Sequence, residues 1–540
     1  MPKTKNSIVQ NTVKTYCDMH SQSKHPSPPV IEQDLLDALR LDFALENSVR
    51  KVNHEPTLKA PEELEPAMIA PVIATLYPVA RISLGGPESA PDLDVLGLYQ
   101  TDGDRKGIYA VEREAFSKLI HEFNPNLTTH SVEETMVMIK ELVPREVRCT
   151  QRNLVPVNNG VFDFDTKQLL PFDPSMVFLS KSRVNYNPLA ANPMIQAPDG
   201  TWWDVDSWMN ALSDDPEIVT LLWQIMGAVI RPLVPWHKSV WFYSNTGNNG
   251  KGTLCELMRQ LCGPGTYVSL PLSEMGKDFM LEPLIRASAI IVDENDVGIY
   301  IDKAANLKAI ITNDVIMINR KFKMPIAYQF HGLMVQCLNE LPRIKDKSDS
   351  FFRRQIFVPF TKCFTGRERK YIKDAYLKRT DVLEYVLFKV LNMDYYELSE
   401  PAACKIALAE YKEYNDPIRQ FASDILSAAS WDLLPSTLLY DLYKAWMRMN
   451  NPGGSVLGRN NFIKEIADVI QKKPGWEWHG EKQKVKGATR MAVYEPLLAT
   501  YGLKNWMNPD TDEYRDSMVA RCTPKKGQFS GYSYCGALRV

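Results

Sequence analysis

A loop rich in glycine and asparagine joins a strand pattern to a helix pattern near the middle of the chain. Residues 240–243 form an apolar, aromatic run suited to a buried strand, and apolar residues recur from Leu254 to Leu261 with the i, i+3, i+4, i+7 spacing of an amphipathic helix. Small residues in such a loop let backbone N–H groups converge on an anion, and the helix N-terminus adds partial positive charge. Lys251 would supply a mobile cation for the β- and γ-phosphates of a nucleotide.

The predicted phosphate cradle departs from the generic pattern G-x-x-x-x-G-K-S/T at two positions. Asn245 replaces the first glycine, and Gly252 follows the lysine, so the hydroxyl is displaced to Thr253. Mg²⁺ normally takes that hydroxyl, so Thr253 or a water would have to serve. For this loop alone, a plain turn between strand and helix is the alternative. We call the predicted residues the cradle: Asn245, Thr246, Gly247, Asn248, Asn249, Gly250, Lys251, Gly252 and Thr253.

Two acidic residues end the next strand pattern. Residues 288–292 read SAIIV, a β-branched run, and Asp293 and Glu294 follow directly. Carboxylates at the end of a buried strand are costly unless they face a cation or water, so the pair predicts a metal and water site. Asp293 would hold Mg²⁺ through its water shell, and Glu294 would orient or deprotonate the attacking water. An acidic turn is the alternative for either residue singly.

A third strand-like run, residues 333–338, ends in Asn339, whose amide is suited to orient the water or contact the γ-phosphate. Arg353 and Arg354 then precede another apolar run, residues 355–360. An arginine beside a subunit boundary could reach a neighbour's γ-phosphate and accelerate phosphoryl transfer by about 10³ or more.

The order of these motifs resembles that of superfamily 3 helicases, most closely the poxvirus-type and phage/plasmid-type primase-helicases. The resemblance rests on GNNGKGT, VDEND, LKAIITNDVIMINRKFKMP and LNELPRIKDKSDSFFRRQIFVPF, and on an upstream module containing RNLVPVNNGVFDFDTKQLLPFDP. It covers roughly residues 90–500. By position it implies these roles: Lys251 as the phosphate lysine, Asp293 and Glu294 as metal and catalytic acids, Asn339 as the sensor, Arg354 as the arginine finger and Arg353 as the second choice.

The resemblance also places a DNA-contacting hairpin between the acidic strand and the Asn339 strand. Here that region reads Arg320-Lys321-Phe322-Lys323, followed by methionine and proline. By resemblance Lys321 and Lys323 point into a central pore, with Arg320 beside them. Charge alone would favour a solvated surface run. The position between the motifs favours DNA binding.

Composition limits the classes of protein that remain. A chain of 540 residues with 45% hydrophobic residues can bury several cores, which suggests about three or four domains. A net charge of −2 excludes a globally basic nucleic-acid protein, so any DNA contact must come from local patches. Nine cysteines without paired zinc-ligand spacing indicate free thiols in a reducing compartment. No signal core and no membrane span are expected, which predicts a cytoplasmic location, or the host cytoplasm for a phage protein, without a membrane partner.

The C-terminal part predicts a winged helix. Helix patterns begin at Ser436 and near Arg459, with a Pro-Gly-Gly turn at 452–454 between them, as in a helix-turn-helix. Basic residues interleaved with tryptophan follow over residues 472–490, which suits a β-wing on phosphates. A small structural domain with a solvated wing is the alternative. The predicted DNA contacts here are Arg459, Lys482 and Lys484.

The predicted fold class is therefore an α/β multidomain protein. It would combine an AAA+ P-loop ATPase core with an N-terminal α+β module and a C-terminal winged-helix domain. We expect helices over 33–51 and 202–234 and a charged helix over 366–379. The predicted domains are a mobile N-terminal region with a helix and linkers (1–90), the primase-helicase-type module (91–205), a helical collar plus ATPase core (206–385), and the winged-helix domain with a tail (386–540).

The leading functional hypothesis is an ATP-driven DNA helicase in the replication of a phage or other mobile element. By resemblance it would be a homohexameric ring that uses ATP and Mg²⁺, moves 3′ to 5′ on single-stranded and forked DNA, and works with a separate primase or other replication proteins. One alternative is a primer-synthesising primase, for which only Asp92 and Asp94 supply an acid-x-acid pattern, and that pattern fits a solvated loop. Another is a DNA-binding initiator that uses ATP only to assemble.

Overall fold

The chain is a mixed α/β multidomain protein that divides into two compact units, Met1–Ala407 and Leu408–Val540. The predicted boundary at 385/386 falls inside the first unit, where the helix Thr380–Leu391 buries Val382, Val386 and Val390 in the core. The computed structural model describes residues 3–21, 26–277, 279–301, 304–321, 323–344, 346, 348–450, 456–512, 515, 517–524 and 531–540.

The N-terminal region is folded, contrary to the predicted mobile segment. Its polar composition conceals an apolar stripe, because Ile8, Val13 and Tyr16 recur on one face of the first helix and are buried. The second helix contains the predicted helix over 33–51. The first three helices are Lys5–His20, Pro28–Val52 and Pro66–Leu76.

A four-stranded sheet continues the same core. Its strands in spatial order are Tyr109–Ala110, Val95–Tyr99, Val79–Ser83 and Arg145–Val147, and its helices are Arg113–Phe123 and Thr129–Leu142. One hydrophobic cluster runs from Ile8 to Val143, so the predicted domain boundary at 90/91 falls within a single core.

The segment between this module and the central sheet contains short strands and two helices. Antiparallel strands Leu154–Val157, Gly160–Asp163 and Gln168–Leu170 form a small sheet, and Ile195–Gln196 pairs with Trp202–Trp203. The helices are Val205–Asn210 and Pro216–Ala228, each opened by an aspartate cap. The predicted helical stretch over 202–234 is therefore wrong at its start, where the tryptophan pair forms a strand.

A five-stranded parallel sheet forms the centre of the first unit. Its strands are β1 (Ser239–Tyr243), β2 (Tyr267–Val268), β3 (Ala289–Val292), β4 (Leu333–Leu338) and β5 (Gln355–Pro359), in the order β2-β3-β4-β1-β5. The helix α1 (Lys251–Cys262) follows β1. Strands buried on both faces appear as continuous apolar runs, which is why β1, β3, β4 and β5 were predictable and are confirmed.

Between β3 and β4 the chain forms an antiparallel hairpin, Val315–Arg320 with Lys323–Gln329, which we call the basic hairpin. Ile316 and Ile318 are buried while Val315 and Met317 face outward, the alternation of a half-buried strand. Nearby elements are the helix Ala305–Thr312, the parallel pair Tyr300–Ile301 and Arg343–Ile344, and the short helix Asp349–Phe352.

The predicted charged helix over 366–379 is broken. It contains only a short helix, Lys370–Asp374, and a 3₁₀ turn, Tyr376–Lys378, separated by Ala375 with φ −127° and ψ −56° outside the helical region. The first-unit helix Thr380–Leu391 follows. The helix Ala402–Asn415 then spans the boundary between the units.

The described part of the second unit contains three longer helices and an antiparallel sheet. The helices are Pro417–Ala428, Ser436–Asn450 and Arg459–Gln471. The sheet strands are Leu433–Pro435, Gly536–Arg539 and Trp476–His479 in spatial order, and Val485–Lys486 pairs with Ser533–Tyr534. Two further short helices are Pro496–Thr500 and Met518–Arg521. The predicted turn at 452–454 lies outside the described residues.

No helix in the described part of the chain is both long and apolar enough to span a lipid bilayer.

Candidate functional site

The cradle lies at the carboxyl edge of the central sheet, between β1 and α1. Gly250 precedes α1 with φ +89°, a conformation that glycine adopts without strain. A Cβ at this position would also lie 2.7 Å from the Leu212 Cδ2 atom, so the turn requires glycine for two reasons. The Ser244 N–H donates to the Leu338 carbonyl (3.2 Å), which fixes the start of the loop to the end of β4.

Lys251 and Asn339 are in direct contact. The Lys251 Nζ atom donates to the Asn339 Oδ1 atom at 3.2 Å, because β1 and β4 are parallel neighbours whose ends lie side by side. The lysine is buried and the asparagine is exposed, so the amide forms the outer side of the pair. Burial lowers the pKa of Lys251. A buried ammonium beside a loop of N–H groups is suited to bind an anion.

Asp293 is held by an arginine that sequence reasoning missed. Arg259 of α1 donates to both carboxylate oxygens of Asp293, at 2.8 and 3.2 Å. These hydrogen bonds lower the pKa of Asp293, so the carboxylate stays ionised. Glu294, the next residue, is exposed. A cation at Asp293 would have to share its carboxylate with Arg259.

Asn295 fixes the turn that carries the two acids. Its buried amide nitrogen donates to the Gln336 Oε1 atom (2.9 Å) and to the Cys337 carbonyl (3.0 Å). Its Oδ1 atom accepts from the Leu272 N–H at 3.0 Å. The turn after β3 is thereby tied to β4, although only the acids of the VDEND motif gave a chemical signal in the sequence.

A second missed cation lies near the cradle. The Lys373 Nζ atom would be 3.8 Å from a Cβ at Gly252, and its charge contributes to the low pKa of Asp293. Lys373 belongs to the segment predicted as a solvated helix, so its sequence position gave no sign of this role. The glycine after Lys251 leaves space beside this ammonium.

The two candidate finger arginines differ in exposure. The Arg354 guanidinium is partly buried and donates to the Ser350 carbonyl of its own chain. Arg353 is exposed, and its carbonyl accepts from Lys238 Nζ at 2.7 Å. Of the two side chains, Arg353 is the more exposed, whereas the sequence favours Arg354.

The basic hairpin presents Lys321 at its turn, where the residue is exposed. Arg320 instead donates through Nε and Nη2 to the Met324 carbonyl, at 3.2 and 3.0 Å, and so braces the turn. The predicted DNA contact at Lys323 lies outside the described side chains.

The base of the basic hairpin is bonded to the N-terminal module. The Gln329 N–H donates to the Leu84 carbonyl (3.2 Å), and Arg148 Nη2 donates to the Gln329 carbonyl (2.6 Å). The Arg148 guanidinium also lies 5.0 Å from the centre of the Tyr328 ring. These contacts connect the hairpin to residues far upstream.

In the second unit, Arg459 begins the third helix and is exposed, as are Lys482 and Lys484. Lys484 forms an ion pair with Glu481 at 3.0 Å, so part of its charge is already compensated.

Asp92 and Asp94 do not form a paired metal site. Asp94 is buried, and its carboxylate lies 2.8 Å from Arg145 and 3.3 Å from Arg81, so its expected place in a solvated loop is wrong. Asp92 is exposed on the 3₁₀ turn Pro91–Leu93. Among the residues that the structure describes, no group of three or more His, Cys, Asp and Glu could hold a metal ion.

Comparison with known proteins matches three separate segments to family models. Residues 72–205 match "D5 N terminal like", residues 413–500 match "Poxvirus D5 protein-like", and residues 242–354 match a family of unknown function, DUF5906. Two of the three matched segments are therefore similar to D5-type family models. The first match begins upstream of the predicted module start at 91, in keeping with the single core described above.

No curated protein sequence matches the chain. Among solved structures, the chain is similar to the A form apo structure of the NrS-1 C-terminal region, with 12% identity, a TM-score of 0.38, and coverage of 70% of this chain and 82% of that one. A second apo structure of the same region gives 12% identity and a TM-score of 0.38, with coverage of 75% and 87%.

Proposed function

We propose that this chain is an ATP-dependent DNA helicase that forms a ring and moves 3′ to 5′ on single-stranded DNA during replication of a phage or other mobile element. The observation that carries the proposal is the Lys251–Asn339 contact at the carboxyl edge of the parallel sheet, beside the acids that follow β3. The strand order β2-β3-β4-β1-β5, with the cradle after β1, supports an AAA+ P-loop core.

Each residue of the site has a distinct role in this proposal. The cradle N–H groups and Lys251 bind the phosphates, and Glu294 takes a proton from the attacking water. Asn339, which accepts from Lys251, would orient that water or the γ-phosphate. Phosphoryl transfer depends mainly on positioning and charge neutralisation, which this arrangement of polar groups provides.

The donor set fits Mg²⁺ rather than a tightly ligated metal. Mg²⁺ is commonly held by one or two carboxylates, substrate phosphates and water, so the single ionised carboxylate of Asp293 and the Thr253 hydroxyl are sufficient protein ligands. When bound, the ion would supply positive charge that offsets the charge of the phosphates. Arg259 keeps the Asp293 carboxylate ionised and oriented.

In a ring, the neighbouring subunit would supply a further cation, an arginine, to the bound nucleotide. Arg353, which is exposed, or Arg354 after release from Ser350, would reach the γ-phosphate of the neighbouring subunit. The Lys321 turn of the basic hairpin would contact the DNA backbone in the central pore. In the second unit, the order helix, strand, helix, helix and two strands supports a winged helix that contacts DNA through Arg459, Lys482 and Lys484.

The test is strand displacement on a 3′-tailed duplex with MgATP. Glu294→Gln should lose hydrolysis and unwinding by about 10²-fold or more, because a general base typically contributes that much. Glu88→Gln, an exposed acid on the N-terminal module, is the matched control and should behave as wild type. A wild-type chain without unwinding or DNA-stimulated hydrolysis would refute the proposal.

A further inference from the structure

A cavity of about 680 Å³ opens beside the cradle. Gly250 and Thr253 line it on the side of α1, and Trp202 and Trp208 line it on the side of the strand pair and helix upstream of the sheet. Phe364 also lines the cavity, and its N–H donates to the Asn248 carbonyl at 2.7 Å. Known ligand pockets have volumes of about 300–1,000 Å³, so the cavity is large enough for a nucleoside.

Three tryptophans line the cavity: Trp203 is buried beneath the lining, and the rings of Trp202 and Trp208 are accessible. Trp203 is buried, with its ring centre 6.4 Å from that of Trp208 and 5.2 Å from that of Tyr376. Trp208 is half-buried, and Trp202 is 61% exposed. A tryptophan left in water at the rim of a cavity loses the favourable burial of a large apolar surface. A flat aromatic ligand in the cavity would restore that burial.

The segment that follows Phe364 adds charged side chains to the lining. Arg367, Arg369, Lys370 and Lys373 line the cavity together with Glu368 and Asp374, so this segment contributes two more cations than acids, and Arg369 is already paired to Asp199 at 3.3 Å. The cavity therefore combines tryptophan rings with cationic groups, and the cradle residues Asn248, Gly250 and Thr253 belong to the same lining. This combination matches a nucleotide, which has a flat base and anionic phosphates.

We propose that the cavity binds the base and ribose of the nucleotide whose phosphates occupy the cradle, with Trp202 and Trp208 packing against the base. This inference rests on the proposed function and adds the substrate class and the residues that select it. It also assigns part of the nucleotide site to Trp202, which lies in the segment matched by the D5 N-terminal-like model rather than in the sheet-bearing segment.

Asp204, a polar residue beside the tryptophans, bears on how selectively the cavity binds one nucleotide base over another. The Asp204 Oδ1 atom already accepts from Asn192 Nδ2 at 2.8 Å and from the Ser207 N–H at 2.9 Å, so it is committed to local structure. Recognition by ring stacking, without a dedicated hydrogen bond to the base edge, favours larger rings over a particular base. ATP and GTP should bind about equally, and UTP more weakly.

The test is calorimetric titration of the full chain with the magnesium complexes of ATP, GTP, UTP and inorganic tripolyphosphate. Trp202→Ala should weaken ATP and GTP binding by about tenfold, as expected for loss of one stacking contact, and leave tripolyphosphate binding unchanged. Tyr532→Ala, which removes a 64% exposed aromatic side chain from the second unit, is the matched control and should bind all four compounds as wild type does.

Trp208→Ala should have a similar effect, with thermal melting recorded beside it because this ring also packs on Trp203. Trp202 is exposed, so Trp202→Ala should fold normally and tests base binding directly. Wild-type affinity for ATP in Trp202→Ala and in folded Trp208→Ala would overturn the inference and leave the proposed function standing. If wild type binds neither ATP nor tripolyphosphate, the proposed function fails, and the inference fails with it.

Discussion

At the scale of single residues, the most informative contact joins Asp293 to Arg259. The carboxylate is about one-third exposed (36%) and the guanidinium is mostly buried (15% exposed), so the pair lies at the edge of the site rather than on the open surface. Arg259 both orients the acid and keeps it charged. The same contact makes the acid dependent on α1, the helix that also carries Lys251.

Arg259→Ala should lower the free energy of unfolding by about 1 kcal/mol at neutral pH, a value reduced for solvent screening of a partly exposed pair. The native pKa of Asp293 lies below its unfolded value, so the pair stabilises the fold above that unfolded value. Its contribution is lost as the pH falls through the native pKa. The difference between variant and wild type should therefore shrink below about pH 4.

Urea denaturation from pH 3 to 8 measures this difference. Arg259→Lys retains the charge but loses the two-pronged geometry, so it should recover only part of the stability. A pH-independent difference would show that Arg259 acts through packing instead of through Asp293.

Lys373 should also affect the chemistry. Removing it by Lys373→Ala should reduce steady-state ATP hydrolysis by about tenfold, because a cation near the phosphates commonly contributes a charge-assisted contact of that size. Lys378→Ala removes an exposed lysine from the following 3₁₀ turn and serves as the control. Equal hydrolysis rates for the two variants would exclude a role for Lys373.

The sequence predicted some residues of the site and not others, for a physical reason. Lys251, Asp293, Glu294 and Asn339 all lie at strand ends or helix starts, where local pattern alone brings them to one edge of a parallel sheet. Arg259, Asn295 and Lys373 reach the site through packing between segments far apart in sequence. No local pattern records that packing, so these residues were found only in the structure.

At the scale of elements, the accurate predictions rest on local sequence pattern, and the wrong ones concern elements that local pattern does not specify. Strands β1, β3, β4 and β5 are buried on both faces and gave unbroken apolar runs. The helix Lys5–His20 is not predicted from composition, because its segment is polar on average and only one stripe of it is buried. The segment over 366–379 was predicted as one helix from its charges, although charge does not specify a helix and the chain turns at Ala375.

The basic hairpin gives a prediction at this scale. Lys321→Ala should weaken single-stranded DNA binding uniformly across sequences and reduce the salt slope by about 1, as expected for one phosphate contact. DNA-stimulated hydrolysis should fall while hydrolysis without DNA is retained. Filter binding at several salt concentrations and a coupled hydrolysis assay measure both effects.

Lys118→Ala is the control for charge alone, because Lys118 is an exposed lysine on the helix Arg113–Phe123 and is not part of the basic hairpin. An unchanged salt slope in Lys321→Ala would argue against contact between the basic hairpin and DNA.

At the scale of the whole molecule, the three matched segments are distributed over the two compact units. The D5-like matches cover residues 72–205 of the first unit and residues 413–500 of the second, and the match to the family of unknown function, residues 242–354, contains the strands β2, β3 and β4 of the central sheet. Assembly in a ring would make the site composite, since a nucleotide in one subunit would meet an arginine from the next.

Mixing of two inactive variants tests this composite site. Lys251→Ala lacks the phosphate lysine and Arg353→Ala lacks the exposed arginine, so each alone should lose ATP hydrolysis by at least about 10²-fold. Mixed rings contain interfaces that combine an intact Lys251 with an intact Arg353, and hydrolysis should partly return. The same mixture made with Arg354→Ala shows which arginine acts in trans.

The contacts at the base of the basic hairpin restrict the movements by which the proposed ring could translocate on DNA. Because Gln329 is bonded to both Leu84 and Arg148, the root of the hairpin is fixed to its own N-terminal module. Movement of Lys321 along DNA would then come from a rigid-body rotation of each protomer, and the basic hairpin would move together with the N-terminal module.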